Sequence, residues 1–367
     1  MAALLRAVAF ATVSGSQGDE RPRRAAMTFH ADVYVPERES CPAPISVASR
    51  PVYDDENVVR LTPFHGDGER DVRVRYSLHG AEGAPVVVVQ GGISANCFAT
   101  DLGGEAGWWP AIVGADCAID TQRWRVLSID WLDRTALGAC RAVGSEDQAD
   151  AIAAVFDSLG IRRVHAFVGA SYGAMVGLAF ASRHPERLHR LVAIAGAHRA
   201  HPLAVAVRNL QREIVRLGAA HGDVAAGLDL ARRLAMTTYR GEREFAERCN
   251  GAPEYRDGRY RFAEEDWLAA AGASFVRRFA AERFLALSES IDLHAITPES
   301  VRVPSTLIGI ASDRLVPLAD LCELQRRAGA PASLHVVDSR YGHDAFLKET
   351  GQIGPLIADA IGTENLQ

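Results

Sequence analysis

No stretch of this 367-residue chain stays apolar for anything near the roughly 20 residues that a bilayer-spanning helix needs. Its six cysteines (Cys41, Cys97, Cys117, Cys140, Cys249, Cys322) include no C-x-x-C pair and lack the dense spacing of a secreted disulfide framework. A reducing, cytoplasmic setting is therefore expected. There is no excess of positive charge either. Forty Lys+Arg face 46 Asp+Glu, a formal net charge of -6 with a pI of about 6.1, which argues against a non-specific nucleic-acid binder. Internal repeats and low-complexity tracts are missing too. What remains is 48% hydrophobic and 23% charged, with a mean hydropathy of -0.02. Such a chain can bury a sizeable core, as one large domain or two ordinary ones.

The start, MAALLRAVAFATVSGSQG, has a weak apolar core broken by Arg6 and no clear cleavage pattern, so it makes a poor signal peptide. Residues 13–26 are polar and patternless, and Met27 offers a second translation start. Residues 1–27 are expected to be a disordered leader.

Beyond about residue 50 the chain alternates between two periods. VRVRYSL (72–78) alternates as a strand does, while APVVVVQGG (84–92) and WRVLSIDW (124–131) read as buried parallel strands. SEDQADAIAAVFDSLG (145–160) reads as a helix with a Ser start, an acidic first turn and a Gly stop. VHAFVGAS (164–171), a small-residue helix and LHRLVAIAGA (188–197) follow. Strand and helix in this rhythm imply an α/β fold whose parallel sheet is covered on both faces. The rhythm stops near residue 198 and resumes with PSTLIGIAS (304–312) and ASLHVVDS (332–339). Between them the pattern is helical: Val207, Leu210, Ile214 and Leu217 repeat as one apolar face. The spacing predicts a helical cap over 198–299, inserted into a catalytic domain made of 28–197 and 300–367.

Gly169-Ala170-Ser171-Tyr172-Gly173 is a G-x-S-x-G between a buried strand and a helix, the setting in which a serine is thrust out of a sheet. A Gly/Ser turn that merely packs a helix is the plainer alternative. A serine nucleophile needs a base, and the base an orienting acid. Asp313 follows one late strand in ASDRLVP and His343 follows the next in SRYGHDAF, which supplies both in the expected order. A second oxyanion donor is expected from Gly91-Gly92-Ile93-Ser94, with the backbone N–H groups of Ile93 and Tyr172 as the pair. A simple Gly-Gly turn stays open for Gly91. These residues point to acyl transfer through a serine ester, with the acceptor undecided.

From about residue 84 onward the chain resembles the homoserine O-acyltransferases of the α/β-hydrolase fold. The resemblance is carried by GGISAN, GWWPAIVGADCAIDTQRWRVLSID, VGASYGAMVGLAFASRHPERL, AVRNLQREIVRLG, LARRLAMTTYR and YGHDAFL. It implies that Ser171, Asp313 and His343 are catalytic, that Arg240 holds the carboxylate of an amino-acid acceptor and that Asp344 takes its ammonium. Arg suits the first role because its planar fork matches a carboxylate. The plainer alternatives are a cap-surface ion pair for Arg240 and a helix N-cap for Asp344. Three departures leave the acyl donor open: Tyr172 and Ala174 in the elbow, a short loop before SEDQA, and Arg208 where acetyl-specific members tend to be uncharged. A succinyl group buried under a cap needs a cation, and Arg208 is placed in sequence to supply one. Arg208 could instead pair with Glu213 or snorkel to the surface. Succinyl-CoA is thus the expected co-substrate and L-homoserine the expected acceptor. Acetyl-CoA, a serine acceptor, simple hydrolysis and a non-catalytic binding protein are the rivals. No metal or tightly held cofactor is implied, and a homodimer is a family-based expectation.

Overall fold

A computed structural model of the chain describes residues 58–61, 72–133 and 142–362. The expected leader over 1–27 lies outside them. The valine-rich runs build one eight-stranded sheet: β1 (Val58–Leu61), β2 (Val72–Gly80), β3 (Val86–Gln90), β4 (Arg125–Ile129), β5 (Ala166–Ala170), β6 (Leu191–Ile194), β7 (Ser305–Ile310) and β8 (Ala332–Val337). Their spatial order is β1-β2-β4-β3-β5-β6-β7-β8; β2 pairs antiparallel with both β1 and β4 at one edge, and the other neighbours pair parallel.

Strand periodicity explains why the central runs are apolar throughout. Alternate residues point to opposite faces, and each face is covered. Val88, Leu127 and Phe167 enter one core with Ile152, Phe156 and Val176 of helices α1 (Ser145–Ser158) and α2 (Tyr172–Arg183). Val87, Val89, Val126 and Val168 enter the other with Trp109 and with Ile353, Ile357 and Ile361 of the last helix. A polar substitution at Val87, Val88 or Val89 therefore has no solvated face on which to sit.

The chain leaves this sheet after β6 and re-enters it at β7. In between lie α3 (Pro202–Ala220), α4 (Val224–Tyr239), α5 (Glu242–Arg248), a short hairpin (Glu254–Arg256 with Arg259–Arg261), α6 (Ala263–Val276) and α7 (Ala281–Asp292). The two ends of the insertion are stitched together: Arg199 and Ala295 form an antiparallel bridge, and Ile296 N–H donates to the His198 carbonyl at 2.8 Å. His294 completes the seam. Its buried ring donates from Nε2 to the Ala197 carbonyl (3.0 Å) and accepts at Nδ1 from the Ser145 hydroxyl (2.7 Å). Burial drives the imidazole pKa down to about 4.

Two details go beyond or against the sequence reading. Ser145 does not cap α1. Gly144 occupies the cap position, Asp147 accepts its N–H at 2.8 Å, and Ser145 is turned inward to His294. The helix predicted from the Val207, Leu210, Ile214 and Leu217 spacing is present as α3, but those apolar positions are not its buried ones. Its buried positions are Ala204, Arg208, Gln211, Arg212 and Val215, while Leu203, Leu210 and Leu217 are each more than half exposed. The inner face of α3 is polar because it meets the carboxylate of Asp292 on α7. The outer side then leaves Leu203, Leu210 and Leu217 exposed at seven-residue steps, the repeat of paired helices, while Val207 is half-buried and Ile214 packs partly against the core.

Candidate active site

Ser171 sits where β5 ends and α2 begins, with φ of 57°. Left-handed backbone at a non-glycine residue costs about 1–3 kcal/mol, so the surrounding contacts must hold it. They leave no room for side chains on either side. A Cβ on Gly169 would collide with the Gly173 carbonyl, and one on Gly173 with the Gln90 carbonyl. Ser171 N–H donates to the Ile194 carbonyl (2.8 Å) and Gly173 N–H to the Gly91 carbonyl (2.9 Å), which clamps the turn between β6 and the loop after β3.

The hydroxyl so exposed lies 2.7 Å from His343 Nε2, and His343 Nδ1 lies 2.6 Å from Asp313 Oδ2. The other Asp313 oxygen accepts the N–H groups of Leu315 (2.8 Å) and Val316 (3.1 Å), so the carboxylate is fixed at both ends. Burial opposes the charged form of His343, but the Asp313 carboxylate, its hydrogen bond and the nearby Asp344 outweigh it. The imidazole pKa stands above its ordinary value, with Arg208 pulling the other way. Three residues separated by 172 and 30 positions in the chain thus form one hydrogen-bonded line. Such a line can draw the hydroxyl proton onto Nε2 while Asp313 steadies the imidazolium.

The glycine loop after β3 faces the same hydroxyl. A Cβ on Gly92 would lie 3.9 Å from Ser171 Oγ, and the Gly92 carbonyl is held from behind by the Trp131 indole N–H at 3.0 Å. Ile93 follows directly and is half-buried. Tyr172 is the first residue of α2, so its N–H has no carbonyl a full helical turn before it within the helix. Its side chain points away, edge-on to Trp131 and hydrogen-bonded to Ser290 on α7.

Arg240 and Asp344 are brought together, in a way their sequence positions do not suggest. Arg240 Nε lies 3.0 Å from Asp344 Oδ2, though its N–H is not aligned for a hydrogen bond, and Arg240 Nη1 lies 3.3 Å from buried Glu244. The pair is mostly buried rather than on the surface. Asp344 occupies the cap position of the short helix Ala345–Lys348, but its side chain makes no capping bond. Arg208 is buried as well. Glu213, its expected surface partner, pairs with Arg216 instead, and Arg208 Nε lies 2.5 Å from Asp292 Oδ1. Its Nη2 is out of water with no partner.

Sequence reasoning missed Tyr239, whose ring stacks on His343 with centroids 5.9 Å apart. The only signal was its place just before Arg240. A Cβ on Gly342 (φ 59°) would press on the backbone of Tyr239–Gly241, so the insertion and the histidine turn are packed backbone to backbone. The Trp108-Trp109 tract also gains a purpose. Trp109 donates its indole N–H to the Phe346 carbonyl at 3.0 Å and anchors the histidine segment from the opposite side. Among the described residues, no cluster of three or more His, Cys, Asp or Glu is placed to hold a metal ion, and no helix is long and apolar enough to cross a membrane.

The profile of the alpha/beta hydrolase fold matches residues 85–350. The chain is 49% identical over 336 residues to a homoserine O-succinyltransferase of Xanthomonas campestris pv. campestris, covering 91% of this chain and 88% of that one. It is 31% identical over 357 residues to a serine O-succinyltransferase of the same species, covering 78% and 90%. Among solved structures, homoserine O-acetyltransferase from Bacillus anthracis superposes with a TM-score of 0.73 at 18% identity, covering 84% of this chain and 97% of that one. At that identity the likeness speaks to the fold.

Proposed function

The chain belongs to the homoserine O-acyltransferases of the α/β-hydrolase fold family, and from that premise we propose that it moves a succinyl group from succinyl-CoA to the hydroxyl of L-homoserine. His343 Nε2 takes the proton of Ser171 Oγ, which attacks the thioester carbonyl while the N–H groups of Ile93 and Tyr172 hold the oxyanion. The C–S bond breaks, the CoA thiolate leaves with the proton from Nε2, and a succinyl-serine ester remains. The homoserine hydroxyl then gives its proton to Nε2 and attacks the ester. Ser171 departs with that proton, and O-succinyl-L-homoserine is released for methionine synthesis. Because CoA leaves before the acceptor reacts, the kinetics are ping-pong.

Arg240 and Asp344 take the acceptor's carboxylate and ammonium, exchanging their mutual contact for a zwitterion that matches both. Arg208 receives the succinyl carboxylate. The insertion over 198–299 acts as the cap that keeps water from the acyl-serine, on a catalytic domain of 28–197 and 300–367. Two copies pair through the outer stripe of α3, whose three exposed leucines are otherwise costly in water. The setting is the cytoplasm.

One observation carries this reading: an unbroken Ser171–His343–Asp313 line in a chain 49% identical, nearly end to end, to a homoserine O-succinyltransferase. The test offers purified protein succinyl-CoA or acetyl-CoA against homoserine, serine and water, following free CoA and O-acyl product together. The expected result is O-succinylhomoserine at the highest kcat/KM. Higher kcat/KM with acetyl-CoA or serine would overturn the substrate assignment. A serine-directed fluorophosphonate should label the wild type stoichiometrically and Ser171→Ala not at all.

A further inference from the structure

The inner faces of α3 and α7 hold a charge arrangement that is uneconomical for a purely structural contact. Arg208 and Arg212, one helical turn apart, share a single carboxylate: Arg208 Nε is 2.5 Å from Asp292 Oδ1 and Arg212 Nη1 is 2.6 Å from Asp292 Oδ2. Arg212 Nη1 also donates to the Ser288 hydroxyl at 3.0 Å. All three charged side chains are only 9% exposed. Among the described residues no second carboxylate pairs with either arginine, so one carboxylate faces two guanidinium charges. Arg208 Nη2, meanwhile, is buried without a partner. A buried guanidinium N–H left without an acceptor is unfavourable until something pairs with it.

We infer that Asp292 and Arg212 are positioning residues for the acyl donor: with Arg208 they form a preset site, carrying one positive charge to spare, for the distal carboxylate of a dicarboxylic acyl group. This rests on succinyl-CoA being the donor. Asp292 engages the Nε edge of Arg208 and leaves Nη2 free, so the substrate does not have to displace a protein carboxylate. Arg212 takes the second oxygen of Asp292, so the pair cannot become neutral. A succinyl carboxylate closes the charge balance, and an acetyl group cannot.

The cluster is close to the chemistry. Two residues before Asp292 on α7, Ser290 shares a hydrogen bond with the hydroxyl of Tyr172, the residue that follows the nucleophile. The charge of Arg208 is felt both at His343 and at Tyr239, the ring stacked on it. Arg232 lies over the rings of Tyr239 (5.2 Å) and Phe275 (4.8 Å) and is oriented by these aromatic faces.

The test compares succinyl-CoA, acetyl-CoA and butyryl-CoA, the last a neutral chain of similar length, in wild type, Arg212→Met and Arg212→Lys, all with homoserine. Arg212→Met removes the surplus charge and keeps the Arg208 side chain. It should lower the ratio of kcat/KM for succinyl-CoA over that for acetyl-CoA at least tenfold. Arg212→Lys, which keeps the charge, should recover most of the selectivity. Equal losses with both donors in Arg212→Met would overturn the inference while leaving the acyltransferase reading intact. If the variant does not fold, the wild type still decides: succinyl-CoA should exceed butyryl-CoA by at least a hundredfold, and parity between them would overturn the inference. A wild type that turned over no acyl-CoA would remove the underlying reading as well.

Discussion

His294 makes the stability of this protein depend on pH in a calculable way. Its ring is buried where the insertion rejoins the sheet, with a pKa of about 4 against an ordinary value of 6.5. The folded state therefore disfavours the charged ring. Below pH 6.5 the unfolded chain takes up a proton that the folded chain refuses, and folding weakens until the pH falls through 4. The full difference corresponds to about 3 kcal/mol, and between about pH 7.5 and about pH 5 roughly 2 kcal/mol is lost. Four other histidines, His79, His165, His189 and His198, have pKa values lowered chiefly by burial and act in the same direction. His343, whose pKa is raised, acts in the opposite one. A variant isolates the contribution of His294. Glutamine at that position stays neutral and can still donate to Ala197 and accept from Ser145. Urea unfolding followed by tryptophan fluorescence at several pH values should show His294→Gln losing about 2 kcal/mol less than wild type over that interval. Parallel stability–pH curves for the two proteins would refute the reasoning.

Gly173→Ala would drive a Cβ into the Gln90 carbonyl; a loss of about 3 kcal/mol, the upper range for overpacking, should appear as a lower urea midpoint. Asp313→Asn removes the carboxylate that raises the His343 pKa, so kcat should fall on the order of 10⁴, as in serine-protease triads. The acidic limb of its kcat/KM profile should also move to lower pH, and an unmoved limb would separate Asp313 from His343 ionisation. Arg240→Leu should raise the KM for the amino-acid acceptor about 10- to 100-fold while the first CoA-releasing burst stays the same; a slowed burst would place Arg240 with the donor. Leu210→Glu on the exposed stripe of α3 should convert a dimer to monomer in sedimentation velocity, with wild type monomeric at micromolar concentration as the contrary outcome.

The sheet was legible because local rules and tertiary demands coincide there. Runs such as VVVVQ and AFVGA are buried on both faces, and glycines at 169 and 173 answer a steric need visible in five letters. Chain order then sufficed to find Asp313 and His343, since each follows its strand directly. The insertion was legible as helical but its faces were not. Periodicity marks an apolar stripe without saying whether solvent, substrate or the core lies opposite, and on α3 the polar face is the inner one. Contacts such as Arg208–Asp292 or Arg240–Asp344 join residues 84 and 104 positions apart, and no short-range pattern encodes them. Ser145 shows the same competition on a small scale: its cap-like position is overridden by a partner 149 residues away.

The spacing along the chain has a consequence for synthesis. Ser171 and its elbow use only strands that precede residue 195, whereas His343 lies 172 residues further on. At about 5–20 residues per second, a ribosome takes roughly 10–35 s to cover that distance. For all of that time a nascent chain can display a nucleophilic serine with no base beside it. Under the proposed mechanism an unfinished chain is thus chemically silent toward thioesters, and an acyl group is first accepted only when the histidine turn docks against Tyr239.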